Sequence, residues 1–271
     1  MKLYAISDLH LGHPKNRHAL AQLSDHPNDW LIVAGDIGEK IAHFRYAFDI
    51  LTTRFAKVIW VPGNHDLWTL PKAEYPLRGV EKYAFLVDLC REYGVLTPED
   101  PYVVWQGDDL AATLVPMCVW YDYSFRPKHL SKLAALAAAE ANNIVCTDEI
   151  VLHVDPFPSI EAWCADRLRY TEQRLAQLPP NQPLIAINHY PLREDLAVLP
   201  RIPQFTLWCG TTQTERWLTR YPIRTVVYGH LHIRRTVVRD GVCHEEVSLG
   251  YPRQWDQTRS IDSYLREIRI M

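Results

Sequence analysis

The chain has 271 residues, 48% of them hydrophobic and 23% charged, ordinary values for a soluble globular protein of one large domain or two small ones. Its net charge of -3 gives no electrostatic reason to expect a nucleic-acid or membrane-surface binder. No uncharged apolar run approaches the ~20 residues that cross a bilayer, and the opening MKLYAISDLHLG meets Asp8 too soon for a secretory signal. Cys90, Cys118, Cys146, Cys164, Cys209 and Cys243 are scattered without a C-x-x-C pair, which reads as reduced, mostly buried thiols in a cytoplasmic protein.

In chain order, KLYAIS reads as a buried strand, Lys15 to Leu23 as a helix and DWLIVAG as a second strand. Glu39 to Phe55 is helical, with apolar residues at Ile41, Phe44, Phe48 and Leu51, and KVIWV is a third strand. Val80 to Tyr93 reads as a helix, Tyr102 to Trp105 and Leu110 to Met117 as strands, and LAALAAAEA and Ser159 to Leu178 as helices. PLIAIN is another buried strand and Thr212 to Arg220 another helix. IRTVVYG, IRRTVVRD and VCHEEVSL close the chain as strands, the last two joined by Asp240-Gly241, a strong hairpin turn. Short apolar runs alternating with amphipathic helices predict an α/β sheet covered on both faces. Residues 116–160, rich in aromatics and prolines, have the least regular pattern and read as an insertion or cap within one domain spanning 1–271.

Five of these strands deliver polar residues at their carboxyl ends. They are Asp8 and His10, then Asp36, then Asn64-His65-Asp66 after the Pro62-Gly63 turn, then His189, then His230 and His232. In open α/β sheets that edge faces a shared crevice where ligands bind. Any one of these residues is adequately explained as a turn carboxylate or a hydrogen-bonded histidine. Five coincidences at equivalent strand ends are not. The set suits a transition-metal site with mixed nitrogen and oxygen donors, Mn, Fe, Zn or Co rather than Mg or Ca. His13, His18, His26, His43, His129, His153 and His244 lack this context and read as ordinary structural or surface histidines.

The ordered set D-x-H, G-D, G-N-H-D, strand-terminal His and G-H-x-H resembles the calcineurin-like metallophosphoesterase superfamily, from Asp8 to His232. The resemblance implies a four-layer αββα sandwich of two mixed β-sheets flanked by helices. It further implies two transition-metal ions, Mn or Fe ahead of Zn or Co. Asp8, His10, Asp36 and His232 would surround one; Asp36, Asn64, His189 and His230 would surround the other, with Asp36 as the bridge. Two such ions ~3.5–4 Å apart hold a bridging hydroxide for attack on phosphorus. With only two anionic ligands the centre carries about +2 and wants an anion such as a phosphate ester. A ligand set complete without His65 leaves its imidazole free to protonate the leaving oxygen as general acid. Asp66 shapes the tip. Glu39 is a second candidate to orient His65, although a solvated first-turn position is the simpler reading.

Two other functions are weighed against this one. A metal-poor binding module on the same fold would show losses among the ligand positions, and every position is filled. A nuclease or cyclic-nucleotide phosphodiesterase would use the same shell; Arg234, Arg235 and Arg239 are better read as solvated arginines than as a nucleic-acid track, given the mildly acidic balance. Trp120, Tyr121 and Tyr123 either wall the pocket or pack within the cap, and Arg193 is a surface salt bridge unless it grips a phosphate oxygen. The stretch GHLHIRRTVVRDGVCHEEVSLGYPRQW is similar to a bacterial subgroup that includes phosphopantetheinyl hydrolases, which makes an acyl-carrier protein the candidate partner.

Overall fold

A computed structural model describes residues 1–73, 75–107 and 111–270 of the chain. The elements run β1 (Leu3–Ile6), α1 (Pro14–Ala21), β2 (His26–Val33), α2 (Ile41–Arg54), β3 (Phe55–Trp60), α3 (Asn64–Leu67) and α4 (Gly79–Glu92). They continue with β4 (Val103–Gln106), β5 (Ala111–Pro116), α5 (Lys132–Ala141), α6 (Asp148–Val151), α7 (Ile160–Leu175) and β6 (Leu184–Ile187). The chain closes with α8 (Trp217–Arg220), β7 (Ile223–Tyr228), β8 (Arg235–Arg239), β9 (Val242–Glu246) and β10 (Arg266–Glu267).

One sheet has the order β10-β1-β2-β3 and the other β4-β5-β6-β7-β9-β8. In the first, β1, β2 and β3 are parallel and β10 is an antiparallel edge. In the second, β5, β6, β7 and β9 are parallel, with β4 and β8 as antiparallel edges. Side chains alternate across a strand, and here the alternation separates two apolar cores. Leu3, Ala5, Ile32, Ala34 and Ile59 from one sheet meet Ala112, Leu114, Ile185, Ile187 and Val227 from the other in a single cluster between the sheets. The intervening Ile6, Leu31, Val33, Val58 and Trp60 face outward into a second cluster with Phe44, Phe48 and Leu51 of α2. This is the expected four-layer arrangement of two mixed sheets flanked by helices.

The sheets touch at one end. Ser7 donates its N–H to Val247 and accepts at its carbonyl from Leu249 N, linking the end of β1 to the end of β9. That junction brings the carboxyl edges of both parallel sets to the same place.

Four local expectations change. Strand β2 begins at His26, because His26 pairs with Phe55 across a register shift and their rings stack at 5.0 Å. Phe55 therefore starts β3 directly after Arg54, rather than ending the helix. The expected helix from Thr212 to Arg220 is a 3-10 turn at Thr212–Thr214 followed by the four residues of α8. Strand β10 has no counterpart in the expectations, being two residues long and thus without readable periodicity. The expected start of β5 at Leu110 lies outside the described residues. All six cysteines are buried and free. No described helix is long and apolar enough to cross a membrane.

Candidate metal centre

The backbone at the shared edge is unusual before any side chain is considered. Asp8, His10, Asp36, His230 and His232 all have φ between 43° and 69°. Left-handed backbone is uncommon outside glycine and clusters at functional sites. These five make up most of the nine non-glycine residues of positive φ among those described. The glycines of the motifs serve the same crowding: a Cβ on Gly63 would lie 2.1 Å from Asp36 Oδ1, and one on Gly229 would lie 2.3 Å from Asp8 Oδ2. The polypeptide is pulled tight so that residues from both sheets reach one point.

Hydrogen-bond logic then fixes which atoms face inward. His189 Nδ1 is 2.9 Å from the Ala34 carbonyl, which can only accept, so Nδ1 carries the hydrogen. The other ring nitrogen, Nε2, faces Asn64 Oδ1 at 3.2 Å and Asp36 Oδ2 at 3.4 Å. The Asn64 amide is oriented in turn, because its Nδ2 donates to Asp148 Oδ1 at 2.9 Å. His232 repeats the arrangement. Gln254 Oε1 accepts from Tyr251 N at 2.7 Å and from His232 Nδ1 at 2.8 Å. That turns His232 Nε2 toward Asp8 Oδ1 at 2.9 Å and His10 Nε2 at 3.1 Å. His230 joins through its N–H to Asp8 Oδ2 (3.1 Å), and its Nε2 is buried with no partner among the described residues.

Potential metal-ligand atoms from both sheets therefore converge on one point. Asp8, His10 and His232 bring one such atom each within 4.8 Å of one another, as do Asp8, Asp36 and His189, and His10, Asp36 and His65. Two of the imidazoles supply positive charge among the carboxylates. Burial pulls His189 down, yet the Asp36 and Asp8 carboxylates lift it to about 10. Burial opposes ionisation of Asp8 and Asp36, but His232 and His189 hold both carboxyls below the ordinary range. Burial and a neighbouring imidazole push His10 and His230 down to about 3, leaving them neutral donors of lone pairs. These residues fit divalent transition metals with mixed nitrogen and oxygen ligands, the His189 and His232 rings each held by a hydrogen-bond partner on the outer side and His10 by stacking on Tyr251.

His65 sits at the first turn of α3, its N–H on Asp36 Oδ1 at 2.9 Å. Its Nδ1 meets Glu39 Oε1 at 3.2 Å, and its ring lies against Trp68 with centroids 3.5 Å apart. Glu39 is thus not the solvated residue expected; its side chain is 20% exposed and is shared between His65 and His43. Burial lowers His65, but Asp36 and Glu39 leave it above its ordinary value. Asp66 shapes the tip as expected: its carboxylate accepts from Asp36 N, Gly63 N, Gly38 N and Trp60 Nε1.

Sequence reasoning missed several contributors. Tyr251 stacks on His10 at 4.4 Å, Gln254 holds His232, and Asp148 holds Asn64. The aromatic stretch resolves in favour of packing: Trp120, Tyr121 and Tyr123 are all buried, and Trp120 lies 5.0 Å from Trp163. Arg193 is a surface ion pair with Asp195 and Asp240. Arg234 is not solvated, since it donates to the Val247, Ser248 and Tyr264 carbonyls, and Arg235 donates to that of Leu196.

An αββα sandwich that gathers this donor set at one edge is the architecture of a metallophosphoesterase, a hydrolase of phosphoric ester bonds. The chain belongs to the calcineurin-like phosphoesterase family, which matches residues 1–234 and whose members use a dinuclear metal centre. It is 48% identical over 268 residues to the [acyl-carrier-protein] phosphodiesterase PptH of Mycobacterium tuberculosis, covering 98% of this chain and 82% of that protein. The crystal structure of that organism's phosphopantetheinyl hydrolase, PptH, matches with a TM-score of 0.94 over 98% of this chain and 95% of its own. Protein L509 of Acanthamoeba polyphaga mimivirus is 24% identical over 268 residues, covering 92% of this chain and 91% of that protein.

Proposed function

We propose that the chain hydrolyses the phosphodiester of phosphopantetheinylated carrier protein, releasing phosphopantetheine and leaving a serine hydroxyl on the carrier. The substrate rests on 48% identity to a protein named for that reaction. The chemistry rests on one observation: Asp8, His10 and His232, and Asp8, Asp36 and His189, each bring potential ligand atoms within 4.8 Å of one another at the shared sheet edge.

Asp8, His10, Asp36 and His232 would hold one ion in this reading, and Asp36, Asn64, His189 and His230 the other, so that Asp36 would be shared. Mn or Fe suits the donors best, then Zn or Co. When bound, the pair polarises the phosphoryl group and supplies a nucleophile at neutral pH. The protein's own part is positional and protonic. Gln254 and the Ala34 carbonyl keep His232 and His189 in the ligating tautomer. A serine alkoxide is a poor leaving group, so His65 Nε2 delivers a proton to it while Nδ1 stays on Glu39. Residues 1–271 are taken as one domain, with 116–160 an insertion; Met117 to Phe125 share an apolar cluster with the helices and strands around the sheets.

The test is incubation of holo carrier protein with the enzyme and Mn(II), followed by intact-mass measurement. The expected result is loss of the phosphopantetheinyl mass from the carrier. An unchanged mass with purified, metal-loaded enzyme contradicts the substrate assignment.

A further inference from the structure

Asp148 lies in the irregular insertion, 84 residues along the chain from Asn64, and no motif marks it. Its side chain is 2% exposed and, among the described residues, forms no ion pair, with His65 acting on it only through space. One oxygen, Oδ1, accepts from Asn64 Nδ2 at 2.9 Å and from Trp68 Nε1 at 2.7 Å. The other, Oδ2, is buried without a hydrogen-bond partner among the described residues. Leaving half of a buried carboxylate unsatisfied is costly, and such a group calls for an explanation that packing does not supply. An amide in its place would keep both Oδ1 bonds at lower desolvation cost.

Both of its partners belong to the centre. Asn64 is the one uncharged, non-imidazole donor there, and a carboxylate on its N–H side draws electron density onto Oδ1, the atom that faces His189. Trp68 is the ring against His65. We propose that Asp148 is a positioning residue that supplies the negative charge behind Asn64, strengthening its carbonyl oxygen as a metal ligand and fixing the indole beside His65. This rests on the dinuclear reading above. With Asp8 and Asp36 as the only anionic ligands, a third carboxylate one hydrogen bond away offsets part of the remaining positive charge of two divalent ions. In the metal-free protein burial lifts the Asp148 carboxyl above its ordinary value despite the bonds from Asn64 and Trp68 and the attraction of His65.

The experiment is chelator-competition titration of Mn(II) into wild type, D148N and D148A, with thermal unfolding of the metal-free forms. Outer partners of metal ligands are typically worth about 10–100-fold in affinity. One Mn(II) per chain is expected to bind D148N about 10–100-fold more weakly, with the other unchanged. Metal-free D148N is expected to unfold at or above the wild-type temperature, since a lone buried charge has been removed. D148N binding both ions like wild type overturns the proposal. So does a lower metal-free unfolding temperature with proportionate weakening of both ions, which is the signature of a packing role. If D148A does not fold, D148N decides alone. Wild type binding fewer than two Mn(II) contradicts instead the dinuclear reading beneath it.

Discussion

On one side of the centre the charge is carried by the donor itself. Asp8 presents Oδ1 to His232 and His10, and the groups behind its Oδ2 are neutral: the hydroxyls of Ser7 (2.5 Å) and Ser248 (2.7 Å) and the N–H of His230. On the other side the order is reversed. Asn64 is a neutral donor facing His189, and the charge stands behind it on Asp148. In the proposed dinuclear reading, an anionic charge stands either in the ligand or one hydrogen bond away. Only the first placement shows as a motif, because only there does the charged residue sit at a strand end.

Removing the shared donor should have the largest effect. Asn is tolerated in left-handed backbone, so Asp36→Asn keeps the fold, and turnover should fall by several powers of ten on every phosphoester tested. Retention of wild-type kcat would erase the distinction between the two sides, since both depend on Asp36. His65→Ala should keep its metals and lose about 10²–10⁴-fold in kcat with an alkyl leaving group, and far less with an activated phenol. Equal losses on the two substrates would remove His65 from the proton-donor role. Gln254→Ala acts on the Asp8 side alone, through the His232 tautomer. Calorimetric titration should show one ion weakened about 10–100-fold, and not the ion that D148N weakens. If both variants weakened the same ion, the two sides would not be separable. The smallest effect belongs to Arg193→Ala, which should leave turnover unchanged and shift stability by no more than about 1 kcal/mol in denaturant unfolding, as exposed ion pairs do.

The strands that end at the centre were legible because each is a short, nearly continuous apolar run, bounded by glycine or an aspartate or, after β6, by Asn188-His189. Every such signal is local. Strand β10 was not legible, since two residues carry no period; its place was set by pairing with β1 more than 260 residues away. Phe55 looked helical beside Leu51 and is a strand residue because His26 stacks on it. The site divides the same way. Asp8, His10, Asp36, Asn64, His189, His230 and His232 announce themselves by position at strand ends. Glu39 was seen but judged by its place before a helix, whereas its role comes from His65, 26 residues on. Asp148 and Tyr251 act only through tertiary contacts, and no spacing in the sequence anticipates them.

Counting ions tests the shared aspartate most directly. Wild type and D36N would be purified in parallel, loaded with Mn(II), desalted and measured for bound metal per folded chain. Two ions in the wild type and close to none in the variant are the expected values. A single ion in the wild type, or an undiminished pair in D36N, would contradict the account.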